Sequence, residues 1–216
     1  MASCCTPSGY DDFFSEKQAR RDARRYRRKG LDKAAQWIVD AARARGIEGA
    51  TILEPGGGVG AIEIELLKLG AARSTVVELS PGYDEIAGEL AREAGVEARL
   101  ERRHGDFAAN GVPLADIVVM HRVVCCYPDY ERLLAAAAER AGRMLVFTHP
   151  PRNPVWLAFF AGFNLWMRVR GKEFRAFAHR PAALVETVRG HGFEPFAFRR
   201  GGIWRGVAFA REAPVR

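Results

Sequence analysis

Three carboxylates follow three successive segments that predict strands. Glu54 and Glu78 each end an apolar run, and Asp106 follows Val96–Arg103 after a histidine and a glycine. Glu78 lies 24 residues after Glu54, about one strand–helix unit further along the chain. A carboxylate at the end of a second strand can accept hydrogen bonds from both hydroxyls of a ribose. Acids on three successive strand–helix junctions therefore predict a ligand that contains adenosine.

The first of these junctions is rich in glycine. Residues 51–67 read TILEPGGGVGAIEIELL, which is typical of a strand, a glycine turn and a helix. Glycine lets the backbone approach a ligand closely, and the free N–H groups at the start of the helix would face a polar or anionic group. A turn that serves only close packing of strand and helix is the alternative. Gly56, Gly58 and Ala61 also fit the dinucleotide fingerprint.

Glu54 and the glycines form the pattern E-x-G-x-G-x-G. It resembles motif I of the class I methyltransferases that depend on S-adenosylmethionine (SAM), and the resemblance extends over residues 51–211. It implies SAM as cofactor, with the motif acid supporting the methionine end and the glycines passing beneath it. In that family a Gly-Asp-hydrophobe tract after the third strand contacts adenine. The predicted cofactor-binding residues are Glu54, Gly56, Gly58, Gly60, Glu78, Leu79, Asp106, Phe107 and His121.

The elements that must position these residues alternate between strand and helix patterns. The predicted fold is α/β: a Rossmann-like, doubly wound sheet of seven strands, mostly parallel with a C-terminal antiparallel β-hairpin, and helices on both faces. Ser74–Leu79, Val96–Arg103 and Arg143–Thr148 are predicted parallel strands. Phe193–Phe198 and Trp204–Ala210 flank a glycine turn and predict the hairpin. This sheet ending is typical of SAM methyltransferases and argues against a dehydrogenase that uses NAD.

Length and composition predict a single domain, 1–216, of ordinary globular type. Within it, residues 1–46 are predicted to form a helical cap, and residues 150–179 an insert that could act as a lid over the substrate. The net charge of +7 and the pI of about 9.6 suit an acidic partner, a membrane surface or solubility alone. We expect neither a signal peptide nor a membrane span, and hence a cytoplasmic protein.

The four cysteines form two adjacent pairs, Cys4-Cys5 and Cys125-Cys126. This is not the spacing of a structural zinc site, so no metal site is predicted. Small apolar residues in a reduced chain are one interpretation of the pairs. The alternative is that the two pairs meet in space and bind a thiophilic metal or metalloid.

Four residues are predicted to serve catalysis: His121, Tyr127, His149 and Tyr26. His121 and Tyr127 follow the fourth strand, and ligands bind outside the carboxyl ends of strands in open α/β sheets. A narrower resemblance is to magnesium-protoporphyrin O-methyltransferases, through Tyr127-Pro128, the insert, the tract at 175–179 and Tyr26. That family has histidine where this chain has Cys126. A base is needed only if the acceptor must lose a proton, and His121 or His149 could supply it.

The favoured function is methyl transfer from SAM to a small, apolar or aromatic acceptor, with O-methylation preferred. Aromatic residues within 153–177 could cover such a flat substrate or rest on a membrane surface. Arg20, Arg24, Arg27 and Arg28 share one predicted helix face, so an RNA or polyanion acceptor is an alternative, although nucleic acid is not favoured. A non-catalytic protein that binds a cofactor or metalloid is a third interpretation, and an NAD-dependent oxidoreductase a fourth.

Overall fold

The computed structural model describes residues 9, 13–109 and 111–211, and its centre is a seven-stranded sheet. Strands β1 to β5 are parallel, and β7 pairs antiparallel with both β5 and β6. The spatial order is β3-β2-β1-β4-β5-β7-β6. The strands are β1 Thr51–Pro55, β2 Arg73–Glu78, β3 Leu100–His104, β4 Ala115–Met120, β5 Ala141–His149, β6 Phe193–Arg199 and β7 Arg205–Arg211. The predicted mixed sheet with its C-terminal hairpin is confirmed.

Helices cover both faces of this sheet. They are α1 Glu16–Lys29, α2 Lys33–Ala44, α3 Ala61–Lys68, α4 Asp84–Glu93, α5 Tyr130–Arg140, α6 Pro154–Val169 and α7 Pro181–Arg189. The first four contribute to the apolar layer on one face, and α5 and α7 contribute to the layer on the other. Within the described residues, no helix combines the length and apolar character that a membrane span requires.

The strand β4 shows why an uninterrupted apolar run suits this sheet. Successive side chains of a strand point to opposite faces. Ile117 and Val119 therefore join the layer of α1 to α4, whereas Val118 and Met120 join the layer of α5 and α7. All four side chains are buried, as expected for a parallel strand covered on both faces.

Several predicted boundaries shift for local reasons. The predicted strand at Val96–Arg103 opens instead with a 3-10 turn at Glu97–Arg99, and β3 begins at Leu100. The second helix begins at Lys33 rather than at Leu31, because the Asp32 carboxylate accepts hydrogen bonds from the N–H groups of the first turn. The pair Cys4-Cys5 lies outside the described residues, so its predicted encounter with Cys125-Cys126 stays a prediction.

The N-terminal segment is held against the loop that follows β2. The backbone carbonyl of Phe14 accepts a hydrogen bond of 2.9 Å from the Ser80 hydroxyl. A Cβ added at Gly82 would lie 2.9 Å from the same carbonyl oxygen, so only glycine allows this close approach. Further along α1, Arg27 forms an ion pair of 2.5 Å with Glu93 of α4. These contacts place α1 beside the carboxyl ends of β1 and β2.

Candidate active site

A cavity of about 470 Å³ lies at the carboxyl ends of β1, β2 and β4, next to α1. Its volume is within the range of small-molecule and cofactor sites. It lies where the strand order changes direction, between β1 and β4, as ligand sites in open α/β sheets do. Its lining includes most of the predicted site residues: Glu54, Gly56, Gly58, Glu78, Leu79, Asp106, Phe107, His121, Tyr26 and Tyr127.

The glycine turn forms the floor of this cavity. Gly56 has a φ of 63°, in the region that favours glycine, and its N–H donates a 2.8 Å hydrogen bond to the Val77 carbonyl. A Cβ on Gly56 would approach the Val123 side chain to 2.9 Å. A Cβ on Gly57 would lie 2.3 Å from the carboxyl of Glu63. The turn therefore needs glycine both for its backbone conformation and for its close packing.

Glu78 joins the end of β2 to this turn. One of its carboxylate oxygens accepts a hydrogen bond of 3.1 Å from the Gly58 N–H, and the other accepts one of 2.9 Å from the Leu79 N–H. The oxygen bonded to Leu79 also accepts a bond of 3.4 Å from the Ser80 N–H. A carboxylate has about four lone-pair sites, so the oxygen bonded to Gly58 can still accept a further bond. Glu78 also lines the cavity, so it is placed as the sequence predicted for a group that binds a ribose.

Asp106 is engaged by two side chains that follow β4. The Tyr127 hydroxyl lies 2.9 Å from one carboxylate oxygen, and the Arg132 guanidinium donates a bond of 3.0 Å to the other. The neighbouring Phe107 is buried, with the Arg140 guanidinium 5.4 Å from its ring centroid. These partners fix the orientation of a carboxylate that lines the cavity.

Glu54 faces a second buried carboxyl that the sequence did not single out. Glu63 is fully buried beneath the glycine turn, although the amphipathic pattern of α3 places it among apolar residues without marking it. Burial raises the pKa of Glu63, and burial together with the Glu63 carboxyl raises the pKa of Glu54 well above its ordinary value. Both groups therefore favour the protonated form. The sequence alone does not predict that Glu54 and Glu63 lie close together, because their contact depends on the geometry of the glycine turn.

Elsewhere on the cavity wall, Asp32, His121 and Arg122 form a polar cluster with Thr148, which is fully buried behind them. We call it the His121 cluster. The His121 Nδ1 is 3.0 Å from the Thr148 hydroxyl, which also accepts a 3.0 Å hydrogen bond from the Arg122 N–H. The His121 Nε2 is buried, lies 3.4 Å from the Asp32 carboxylate and makes no hydrogen bond within the described part of the chain. His121 is itself one of the residues that line the cavity.

Protonation in the His121 cluster follows from burial and charge. Burial lowers the pKa of His121 below its ordinary value, against the opposing effect of Asp32. Burial alone would raise the pKa of Asp32, but His121, the Ala35 N–H and Arg122 together hold it well below its ordinary range. At neutral pH the cluster therefore contains a neutral imidazole next to an ionised carboxylate. Such a pair can take up one proton.

The sequence missed Asp32 and Arg122 as members of this cluster. The Arg122 guanidinium lies 2.5 Å from the Asp32 carboxylate and 5.1 Å from the Trp204 ring centroid. Among the described residues, Arg122 alone has a positive φ without being glycine, at 64°. Such strain is typical of functional sites. Asp32 lies 90 positions before Arg122 in the sequence, so this contact could not be predicted from local patterns.

Two predicted catalytic tyrosines lie in the cavity wall with their hydroxyls already engaged. The Tyr26 hydroxyl donates a hydrogen bond of 2.5 Å to Glu65, and burial, followed by this contact, raises the pKa of Tyr26. Tyr127 holds Asp106 instead of facing the His121 cluster. The structure thus places the Tyr127 hydroxyl at Asp106, the predicted adenine contact, and not beside His121.

The structure does not bring His149 into the cavity. This residue ends β5 on the other side of the sheet, where its buried Nδ1 lies 2.9 Å from the Pro150 carbonyl oxygen. It lines a separate pocket with Pro181 and Arg205. Burial lowers its pKa as it does for His121. A residue next to the end of a strand can project to either face, and this one projects away from His121.

The described cysteines are adjacent to the cavity. Cys125 is buried and Cys126 lines the cavity wall, with 3.6 Å between the two Sγ atoms. In residues 9, 13–109 and 111–211, no group of three or more His, Cys, Asp or Glu side chains is arranged to hold a metal ion.

Comparisons with known proteins agree with the resemblance found in the sequence. A family model described as a methyltransferase domain matches residues 53–141. The search of curated proteins found no match.

Solved structures share the fold at low identity. Magnesium protoporphyrin IX methyltransferase from Synechocystis PCC 6803, solved with bound S-adenosylhomocysteine (SAH), has a TM-score of 0.72 at 19% identity, over 94% of this chain and 98% of that chain. An O-methyltransferase family protein from Burkholderia thailandensis has a TM-score of 0.67 at 18% identity, over 94% of this chain and 64% of that chain. An O-methyltransferase family 2 protein from Planctomyces limnophilus DSM 3776, in complex with apigenin, has a TM-score of 0.62 at 18% identity. The match covers 82% of this chain and 62% of that chain.

Proposed function

We propose that the protein transfers a methyl group from SAM to a hydroxyl of a small, apolar or aromatic acceptor, because a family model described as a methyltransferase domain matches residues 53–141. The observation that supports this choice most directly is the His121 Nε2, which is buried beside Asp32 and without a hydrogen-bond partner in the described residues. A proton-accepting group of this kind is useful to a hydroxyl acceptor and unnecessary for a carboxylate.

The glycine-turn region fits SAM. We use this name for Glu54, residues 56–60, Glu78 and Asp106. The turn lines the cavity with glycine backbone that carries no Cβ, since a Cβ at Gly56 would meet the Val123 side chain at 2.9 Å, and the Glu78 carboxylate can accept a bond from a ribose hydroxyl. Asp106 would accept a bond from the adenine amine, and Phe107 would cover the ring. When bound, SAM supplies a methyl group made electrophilic by the adjacent sulfonium.

The residues of the His121 cluster accept and stabilise the proton that a hydroxyl acceptor loses when it is methylated. The acceptor hydroxyl would donate to His121, and its proton would pass to the imidazole as the oxygen takes the methyl group, while the bond from that group to the sulfonium sulfur breaks and SAH leaves. The imidazolium that results is stabilised by the ionised Asp32, 3.4 Å away. Thr148 holds the opposite ring nitrogen and so fixes the orientation of the imidazole. After the reaction the proton returns to solvent.

The apolar part of the cavity lining supports a flat, apolar acceptor. Phe13, Phe14 and Leu31 line the cavity next to Asp32. Aromatic walls favour aromatic ligands through offset or edge-to-face contacts. Apigenin, an aromatic compound with hydroxyl groups, is bound by one protein of the same fold. A small hydroxylated aromatic compound is therefore the acceptor class that we propose.

A polyanionic acceptor has less support from the basic helix α1. Arg20 pairs with Glu16 on the same helix, and Arg27 pairs with Glu93 of α4. Part of the basic face thus serves contacts within the protein. Binding of RNA would weaken steeply with added salt. A salt-independent rate with a neutral acceptor would argue against that alternative.

Calorimetry with SAM and SAH tests the cofactor, with NAD as the comparison ligand. We expect micromolar binding of both adenosyl ligands and none of NAD. Glu78→Ala should abolish measurable binding, because the ribose would lose its carboxylate partner. Glu85→Ala, an exposed glutamate of α4, is the matched control and should bind as the wild type does. If neither adenosyl ligand binds the wild type, the proposed function fails.

A screen with SAM labelled in its methyl group tests the acceptor. Phenols and aromatic acids would be compared, and the product would be treated with alkali, which cleaves a methyl ester and leaves a methyl ether intact. An alkali-stable product formed only with hydroxyl-bearing acceptors is the expected result. An alkali-labile product, or methylation of RNA alone, would contradict O-methylation of a hydroxyl.

A further inference from the structure

Helix α6 carries the largest group of exposed apolar side chains that the described residues contain. These exposed side chains are Val155 (75%), Leu157 (40%), Phe159 (56%), Leu165 (62%), Trp166 (48%) and Val169 (79%). Such contiguous apolar surface is unusual on a water-exposed helix and marks an interaction site. All of them except Leu157 lie within about one third of the helix circumference, and we refer to those five residues as the outer face of α6.

The inner face of α6 is anchored to the rest of the protein. Phe160 and Phe163 pack against a small buried cluster of Met167, Phe174 and Ala176. Asn164 donates a 2.8 Å hydrogen bond to the Ala176 carbonyl and accepts one of 2.9 Å from the Ala176 N–H. These bonds fix the rotation of the helix about its axis. The outer face is therefore held outward by packing on the opposite side.

Basic residues border the outer face. Residues 154–167 contain no charged side chain, and the span 152–175 contains five basic residues and a single acidic one, Glu173. At the C-terminal end of α6, the Arg170 guanidinium lies 4.6 Å from the Trp166 ring centroid. Arg168 is exposed in the last turn. An apolar helix face with tryptophan, phenylalanine and leucine beside basic residues is typical of helices that lie at a membrane interface.

We propose that the outer face of α6 binds the surface of a bilayer that contains anionic lipids. The helix has 16 residues and is about 24 Å long, so it can lie parallel to the surface but is too short for a full span. Phe159, Leu165 and Trp166 enter the boundary between headgroups and acyl chains, and Arg168 and Arg170 contact lipid phosphates.

Charge favours the bilayer over a second copy of the chain. A symmetric pair of α6 helices would bring the basic borders of both copies together. The helix itself contains no carboxylate that could compensate them. Anionic headgroups supply the missing charge, and acyl chains cover the apolar side chains. This proposal does not depend on the acceptor or on methyl transfer.

Co-sedimentation with lipid vesicles tests the proposal. Wild-type protein would be mixed with phosphatidylcholine vesicles, either pure or containing phosphatidylglycerol. We expect binding to the anionic vesicles that weakens with added salt. Leu165→Asp should reduce the partition coefficient on the order of 10-fold or more, because an apolar contact is replaced by a charge that the headgroups repel.

The chain offers a matched control for that substitution. Leu114 is 77% exposed in the loop before β4, outside α6, so Leu114→Asp makes the same chemical change elsewhere. It should leave vesicle binding near the wild-type level. The double variant Arg168→Glu and Arg170→Glu should lose the preference for anionic vesicles. Thermal melting of each variant would check that it folds, as expected for substitutions of exposed residues.

Three results would overturn the proposal. The first is absence of wild-type binding to both kinds of vesicle. The second is equal loss of binding in Leu165→Asp and Leu114→Asp, which would mean that added negative charge alone acts. The third is a dimer in sedimentation velocity that Leu165→Asp dissociates, because a second copy would then cover the outer face.

Discussion

The glycine-turn region and the His121 cluster line the same cavity but are built in different ways. The first takes its groups from consecutive strand ends, so that Gly58 bonds to Glu78 only 20 residues away. The second joins Asp32 to Arg122 across 90 residues, and His121 to Thr148 across 27. A site formed by neighbouring strand ends repeats the same local strand–helix junction, with an acid at or just after the end of each strand. A site formed by a helix cap and two strands depends on the whole fold.

The two regions also treat their carboxyl groups in opposite ways. Glu54 is buried next to another carboxyl, which raises its pKa, whereas Asp32 is buried next to His121 and Arg122, which keep its pKa low. Burial alone would favour the neutral form in both cases. The neighbours therefore decide that one acid serves as a neutral hydrogen-bonding group and the other as an anion.

The largest expected effect is on turnover, in His121→Asn. The asparagine amide can keep the contact with Thr148, but it is not a base and cannot replace the Nε2. No group at this position can then accept the proton of a hydroxyl acceptor. We expect kcat to fall by about 10²- to 10⁴-fold with little change in SAM affinity. Steady-state kinetics and calorimetry on the same preparation measure both. Weakened SAM binding with unchanged kcat would assign His121 to the glycine-turn region.

His149→Asn is the matched control for this substitution. It keeps a group able to contact the Pro150 carbonyl and lies outside the cavity, so kcat should stay near the wild-type value.

The pH profile of the rate is a second test of the role of His121. The imidazole acts as a base only when it is neutral, so the rate should be level above the pKa of His121 and fall below it. Because burial lowers that pKa, the fall should lie below about pH 6.5, and His121→Asn should lack it.

The next effect concerns the glycine-turn region, in Gly57→Ala. The new Cβ would lie 2.3 Å from the Glu63 carboxyl and 3.1 Å from Val76, so the turn or its support must move. We expect a loss of about 1 to 3 kcal/mol in the free energy of unfolding, and weaker SAM binding. Gly88→Ala is the control, because a Cβ there meets nothing within 4 Å. Equal behaviour of the two variants would mean that the turn tolerates a side chain.

The same contrast explains which features the sequence could predict. The order of strands and the acids at their ends follow from local patterns, since each βα junction repeats the last. His121 follows β4 directly and lies in the cavity wall, at the carboxyl end of the sheet. The direction in which His149 projects, and the contact of Asp32 with His121, depend on how distant elements pack. Glu63 looked like an ordinary helix residue, because its burial depends on the turn above it.

Tyr127→Phe tests to which of the two regions this residue belongs. The sequence predicted a catalytic role for Tyr127, whereas its hydroxyl contacts Asp106 of the glycine-turn region. The variant loses the hydrogen bond to Asp106, while Arg132 keeps its own. We expect SAM to bind about 5-fold more weakly, as for one lost hydrogen bond, with kcat nearly unchanged. Tyr130→Phe, which loses an exposed bond to Glu131, should match the wild type. A change in acceptor KM without a change in SAM affinity would restore the original assignment.

The smallest expected effect is on stability, in Glu63→Gln. Burial raises the pKa of Glu63, so the folded wild type favours the protonated carboxyl and loses stability as the pH rises above the unfolded-state value of about 4.3. Glutamine has the same shape and cannot ionise. Denaturant unfolding should therefore show a gain in stability for the variant that grows between pH 5 and pH 8. Glu85→Gln, at an exposed position, should show no such trend. A difference independent of pH would mean that Glu63 is ionised beneath the turn.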